Sequence, residues 1–394
     1  MSRYYSYLNT ATEVIKNYDG NEPLSNHFKK FFSSNKKYGS KDRKQISHLC
    51  YCYYRLGKIL KELPIEEKIV AALFLCSDSS NELLANLKPE CNEKVMLSVE
   101  EKCSMLSVQR SLQNLFPFGN ELSNGIDLEA FSKSFLIQPD LFLRIRPGYK
   151  KNVLEKLKVS GLKFEVIADD CIALPNNSKV ESIVELNKEV VVQDYSSQRV
   201  GEFLNNYKRK TINHKHSIWD CCAASGGKSI LAKDILGDID LTVSDIRQSI
   251  LFNLKKRFTE AGIKNYHSFI ADLSVPDNQI STANYDLIIA DVPCTGSGTW
   301  SRTPEQLYFF NRESIEQYSN LQKKIISNII PKIKPGGYLL YITCSVFKKE
   351  NEEVIEFIRQ EFNLSLIQNE LLIGYNKKAD TMFAALFERL PVTV

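Results

Sequence analysis

A chain of 394 residues, 43% hydrophobic and 25% charged, is too long for one ordinary core and has the balance of a soluble globular protein. Its longest apolar run, Ile69 to Cys76, falls far short of the roughly 20 residues a membrane span needs, and the start lacks the basic end and apolar core of a signal peptide. A net charge of +4 excludes nothing, whereas ten irregularly spaced cysteines without a C-x-x-C pair argue against a disulfide framework or a metal site, and for a reducing, cytoplasmic setting.

Three regions are expected: a helical domain over 1–125, a small α+β module over 126–205 and an α/β domain over 206–394. In the first, Ile46, Cys50, Tyr53 and Tyr54, then Leu56 and Leu60, recur at helical spacing. Ile65 to Cys76 and Asn81 to Leu87 predict further helices. Cys50 and Cys52 beside His48 raise the idea of a metal, but packing on an apolar face is the better reading. From Ser25 to Lys61 there are ten Lys or Arg residues and one acid, Asp42, with Phe28, Phe31, Phe32 and Tyr38 among them. A second basic stretch runs from Arg144 and Arg146 to Lys163. Either block alone reads equally well as a solvated helix face; the two together favour RNA.

In the second region, Phe142 to Arg146 alternates as a strand, Tyr149 to Leu157 reads as a helix, and Lys163 to Ile167, Cys171 to Ala173 and Val190 to Val192 read as strands. Asp194 can cap a helix running to about Tyr207. Asn205 to His216 is the expected linker. Beyond it, strand and helix patterns alternate, which predicts a doubly wound α/β sheet. Its seven strands are Ile218 to Cys221, Leu241 to Val243, Ser268 to Ile270, Leu287 to Ala290, Tyr338 to Ile342, Leu364 to Ile367 and Phe383 to Phe387. Helices are expected over Gln248 to Ala261, Glu313 to Ile333 and Glu350 to Phe362, with Pro335-Gly336-Gly337 as a turn.

The first of these strands runs into Cys222-Ala223-Ala224-Ser225-Gly226-Gly227-Lys228, a loop of small residues that lets the backbone approach a ligand at a helix start. A P-loop needs glycine where Cys222 stands, which weakens a nucleotide-triphosphatase reading. Acids follow the next two strands: Asp245, suited to both ribose hydroxyls of an adenosine, and Asp272, suited to its exocyclic amine. Each alone could be a helix cap. Loop and acids together match an S-adenosylmethionine site.

The buried-strand pattern Leu287 to Ala290 ends in Asp291-Val292-Pro293-Cys294, and Tyr338 to Ile342 ends in Thr343-Cys344-Ser345. Regular winding would put this last strand beside the Leu287 to Ala290 strand and the two cysteines on neighbouring strand ends. A thiolate can add to C6 of a pyrimidine and activate C5 toward a methyl group. Asp291 is placed to bond N3, provided burial keeps it partly protonated. Spacing leaves open which cysteine attacks.

These motifs resemble those of the Sun-type (Fmu-like) RNA cytosine-C5 methyltransferases, in particular their bacterial 16S ribosomal-RNA branch. Cys222 to Lys228 is similar to the family's C-A-A-P-G-G-K, Asp291 to Gly296 to D-x-P-C-S-G, and Thr343-Cys344-Ser345 with Glu350-Asn351-Glu352 to T-C-S with E-N-E. Gln193-Asp194 with Ser196-Ser197-Gln198 matches the segment that precedes the fold. The helical region resembles, more loosely, the NusB-like RNA-binding domain of that branch. The resemblance implies a seven-stranded Rossmann-like domain, S-adenosylmethionine as cofactor and ribosomal RNA or a small-subunit assembly intermediate as partner, with the protein a monomer. It implies Cys344 as nucleophile, Cys294 as the residue assisting release, and Asp291 on the cytosine as well as in the cofactor set. Cys222 to Lys228, Asp245 and Asp272 would hold the cofactor. Two departures stand out: Ser225 replaces a proline, where it can cap the next helix, and Asp380 to Ala385 replaces D-G-F-F-x-A.

Overall fold

Capping side chains write several helix starts in the first third of the chain. Asn81 accepts the Leu84 N–H, Ser98 and Glu101 satisfy each other's backbone, and Asp127 accepts from Ala130. The computed structural model describes residues 2–108, 114–211, 215–276 and 283–391. The chain forms two units. The first comprises Met1–Asn120, Ile126–Gln138 and Thr299–Arg312. Every helix or strand described in it is helical.

Its helix Ser40–Arg55 buries Ile46, Leu49, Cys50, Tyr53 and Tyr54, the stripe that helical spacing predicts. The helix stops at Arg55, so Leu56 and Leu60 do not extend the stripe; Gly57 and Leu60 take positive φ and turn the chain. Cys50 and Cys52 are buried, and the Cys50 thiol lies against the Ala11 carbonyl at 3.7 Å, a packing role. The segment 299–312 is the unexpected member of this unit. Trp300 and Leu307 are buried, Phe309 packs edge-on to Tyr18, and Tyr308 edge-on to Tyr54. Glu305 accepts the Leu24 N–H at the start of the helix Leu24–Ser34, where a carboxylate meets the helix's positive end.

The second unit comprises Glu121–Gly125, Pro139–Gly298 and Glu313–Val394. It opens with a four-stranded antiparallel sheet, order β2-β3-β1-β4, of β1 Leu141–Ile145, β2 Glu165–Ala168, β3 Cys171–Leu174 and β4 Val190–Val192. Asp194 caps the helix Tyr195–Lys210, which runs through the first half of the expected linker; 212–214 lie outside the described residues.

The larger sheet has the order β10-β11-β9-β8-β5-β6-β7. Its strands are β5 His216–Asp220, β6 Ile239–Asp245, β7 His267–Ile270, β8 Tyr285–Asp291, β9 Ile333–Thr343, β10 Leu364–Leu372 and β11 Met382–Arg389. β5 to β9 are parallel, and β11 runs antiparallel to β9 and β10. This is the seven-stranded, Rossmann-like α/β sheet the alternating pattern predicts.

β9 pairs with β8, so Cys294 and Cys344 follow neighbouring strands, as expected. One placement differs: Pro335-Gly336-Gly337 is not a turn ahead of β9. Residues 334–337 bulge out of the strand opposite Asp286 alone, with Gly336 at positive φ.

Alternate residues of the parallel strands feed two cores, one on each face. Leu287 and Ile289 of β8 join Ile218, Val243, Phe203, Tyr207 and Phe258. Ile288 and Ala290 join Trp219, Leu339, Tyr341, Ile326, Ile329 and Ile358. A strand apolar on both faces is thus what the unbroken run Leu287 to Ala290 encodes.

Candidate active site

Parallel strands deliver their last residues to one edge of the sheet, and β5 sits where the strand order reverses, between β8 and β6. Ligands of open α/β sheets bind beyond such strand ends. Asp220, Asp245, Asp291 and Thr343 end β5, β6, β8 and β9.

After β5 the chain turns through Ala224 at φ 45° and Gly226 at φ 85° into the helix Gly227–Leu236. A Cβ on Gly226 would lie 2.6 Å from the Phe258 ring, so this position excludes side chains twice over. Gly226 is the N-cap, and Ser225 does not cap the helix as expected. Its hydroxyl and carbonyl both accept from Arg257, at 2.7 and 3.1 Å, because that guanidinium lies beside the loop.

Asp220 is fully buried. Ser229 donates to its Oδ2 at 2.5 Å, while Oδ1 has no partner among the described residues. Burial pushes its carboxyl up to about 7. Asp245 accepts from the Ala224 N–H at 3.1 Å and from the Arg247 backbone and guanidinium at 2.9 to 3.2 Å. Asp272 is exposed and accepts from the Ser274 backbone and hydroxyl, which lower its carboxyl below the usual range. A loop that excludes side chains, an orphaned buried carboxyl oxygen and carboxylates after two successive strands form a donor set that fits an adenosine with an amino-acid tail. Arg247, more than half exposed, would have to leave Asp245 for a ribose to take its place.

Cys294 and Cys344 meet at an Sγ–Sγ distance of 3.2 Å, both as free thiols. The hydrogen bond to Cys344 and burial push the Cys294 thiol well up. Their loops are held by backbone as well. The Gly298 N–H donates to the Cys344 carbonyl at 2.9 Å, and the Thr381 N–H donates to the Gly298 carbonyl at 2.9 Å. A Cβ on Gly298 would fall 1.8 Å from the Thr381 oxygen. Asp291 is not sealed away as the protonated carboxyl envisaged from sequence. Its side chain keeps 29% exposure and meets the Lys228 ammonium at 3.0 Å, an ion pair that desolvation alone would not have predicted. Lys228 also donates to the Ser197 hydroxyl at 2.8 Å, which ties the Ser196-Ser197-Gln198 segment to the cofactor loop.

The comparisons follow this geometry. Residues 210–383 match the family model described as 16S rRNA methyltransferase RsmB/F. That stretch is similar to an RsmB/F-type methyltransferase domain. The probable ribosomal RNA small subunit methyltransferase B of Bacillus subtilis (strain 168) is 27% identical over 238 residues, 59% of this chain and 52% of that protein. Ribosomal RNA small subunit methyltransferase B of Salmonella newport (strain SL254) is 32% identical over 232 residues, 57% and 52% of the two chains. The chain thus matches about half the length of these curated relatives. Among solved structures, that of PH0851 aligns over 98% of this chain and 99% of its own with a TM-score of 0.70 at 18% identity. NSun6 from Pyrococcus horikoshii covers 71% and 97% with a TM-score of 0.60 at 14% identity. At these identities the likeness establishes the fold.

Within the matched stretch, the sequence motifs converge on one edge: the 222–228 loop, Asp245, Asp291 and the two cysteines all stand at the carboxyl ends of parallel strands or directly beyond them. Asp272 stands beyond β7. Other groups carried little signal. Asp220 preceded the loop without a role, and Arg257 belonged to a helix whose only pattern was amphipathic. Glu350 was visible only within Glu350-Asn351-Glu352. Among the described residues, no helix is long and apolar enough to cross a membrane.

The basic stretches resolve unequally. Arg144 is 2% exposed and, with Arg146, pairs with Asp234 at 2.7 and 2.8 Å, so these two serve the interior. Arg55 also turns inward, donating to the Phe135 carbonyl at 2.7 Å. Lys29, Lys30, Lys36, Lys37, Lys41, Arg43 and Lys44 are exposed on the helices Leu24–Ser34 and Ser40–Arg55 and the turn between them.

Proposed function

We propose that this protein methylates C5 of a cytosine in RNA, with small-subunit ribosomal RNA as the substrate class, through a covalent bond from Cys344 to C6. The observation that carries the reading is the thiol pair, 3.2 Å apart on the loops after β8 and β9. The names of the curated relatives and the family model support ribosomal RNA, and the exposed lysines of the helical unit suit its phosphates.

S-adenosylmethionine, when bound by the 222–228 loop, Asp220, Asp245 and Asp272, supplies an electrophilic methyl group. Cys344 Sγ forms a bond to C6 and moves an electron pair onto C5, which takes the methyl. Loss of the C5 proton and cleavage of the S–C6 bond return the thiolate and the aromatic base. Cys294 is assigned to that second half. Before attack its thiol is held protonated chiefly by its hydrogen bond to Cys344. Once Cys344 is bonded to carbon that cause is gone, and Cys294 ionises more readily when a base is needed. The Asp291–Lys228 pair presents a carboxylate and an ammonium to the base's polar edge.

A paired cytosine must leave its stack for C6 to be reached, at a cost of a few kcal/mol, so an unpaired cytosine or an assembly intermediate is the favoured target. A nucleotide-triphosphatase would need Lys228 free for phosphates; here it is held by Ser197 and Asp291. The test is methyl transfer from labelled S-adenosylmethionine to ribosomal RNA, with bisulfite mapping of the product. Cys344→Ala should give no methylcytosine, and Cys294→Ala should accumulate a protein–RNA adduct stable to denaturing gels. Methylation by Cys344→Ala would overturn the mechanism. Binding of ATP with no binding of S-adenosylmethionine would overturn the class.

A further inference from the structure

Glu350 is fully buried near the far end of the loop that follows β9 and carries Cys344, and it bonds to the residue after each cysteine. Its Oε1 accepts from the Thr295 hydroxyl at 2.6 Å and the Ser345 hydroxyl at 2.5 Å. Its Oε2 accepts from the Thr295 N–H at 2.8 Å and from Gln322 Nε2 at 3.0 Å. Thr295 follows Cys294 and Ser345 follows Cys344, so one carboxylate joins the residues directly after the two thiols. Its own backbone is fixed in turn, because the Tyr341 hydroxyl of β9 donates to the Glu350 carbonyl at 2.6 Å. The two N–H groups on Oε2 can only donate, and the two hydroxyls on Oε1 donate to it as well, so both oxygens of Glu350 accept.

We propose that Glu350 is a positioning residue for the two-cysteine centre, a clamp that sets the spacing and relative orientation of Cys294 and Cys344. The next residue continues the tie. Asn351 accepts from the Thr343 hydroxyl at 2.6 Å and donates to the Ser345 carbonyl at 3.0 Å, one residue to either side of Cys344. A buried carboxylate with this many donors is costly to assemble, and its protein-wide alternative, an apolar residue of similar size, would pack without it.

The role in catalysis rests on the proposed function; the role in setting thiol spacing does not, and the test separates them. Glu350→Gln keeps the shape but removes the second acceptor oxygen, and its NH2 forces the Thr295 and Ser345 hydroxyls to accept where they donated. It should lower kcat at least tenfold while the KM values for RNA and S-adenosylmethionine stay within about twofold. Independently of any RNA, diamide should oxidise Cys294 and Cys344 to a disulfide, two thiols losing two electrons and two protons to the reagent. Mass spectrometry of the joined peptides should show this reaction at least tenfold slower in Glu350→Gln. Thr295→Val and Ser345→Ala, each removing one hydroxyl, should show smaller losses in both assays, and they decide the matter if Glu350→Gln melts early. Wild-type kcat and wild-type disulfide rates in these variants would overturn the clamp. Normal disulfide effects in a protein that never methylates RNA would sink the function and leave the clamp standing.

Discussion

At the end of β5, the Asp220 carboxyl has one oxygen on Ser229 and the other on no described group. Burial raises it to about 7, against roughly 3.9 in an unfolded chain. A carboxyl raised on folding stabilises the native state fully below its unfolded value and loses that contribution as pH climbs toward its folded value. Stability should therefore fall between about pH 4 and pH 7 by an amount on the order of a few kcal/mol. Asp220→Asn should flatten that fall, which thermal melts of both proteins at pH 5 and pH 8 would measure; equal pH dependence would contradict the assignment. At this scale the sequence was legible wherever chemistry and chain neighbours coincide, as at Asp291-Val292-Pro293-Cys294. It was silent where a partner arrives from another element: Lys228 on Asp291, Arg257 on Ser225, Glu350 on Thr295.

Elements hold the site through a few buried ion pairs as well as through packing. Arg144 and Arg146 of the small sheet converge on Asp234 of the helix that follows the cofactor loop. Arg146 also donates to the Ala261 carbonyl at 2.8 Å, just past the helix that carries Arg257. Removing one partner of a buried pair leaves an uncompensated charge, typically at about 3–5 kcal/mol. Asp234→Asn should lower the urea midpoint accordingly and should weaken S-adenosylmethionine binding, because the loop and its helix move as one piece. Unchanged stability would show that the pair is not what joins these elements. Strand identity was legible here from apolar runs, since a strand buried on both faces has few alternatives. Strand order was not. That β11 inserts between β9 and β10 is a long-range choice that no local pattern encodes.

For the whole molecule, the segment 299–312 matters most. It begins one residue after Gly298, whose backbone is bonded to the Cys344 loop, yet Trp300, Leu307, Tyr308 and Phe309 are packed in the helical unit. Nothing in its sequence marks it as a loan to a distant region, because an apolar helical stretch looks the same wherever it is buried. A fragment starting at Pro139 would expose the buried Trp300 and Leu307, side chains worth on the order of 1.5–3 kcal/mol each when buried. It should bind a hydrophobic dye, melt earlier than the full chain and lose methyl transfer; a fragment as stable and active as the full chain would refute this.

The same segment orders events in time. Residues 1–138 of the helical unit are made before the large sheet, but the unit lacks a piece until residue 312 has been made. At ordinary rates of synthesis, roughly 5–20 residues per second, about ten to thirty seconds separate its penultimate part from its last. During that interval Tyr18 and Tyr54 await the ring of Phe309, and the start of the helix Leu24–Ser34 awaits Glu305.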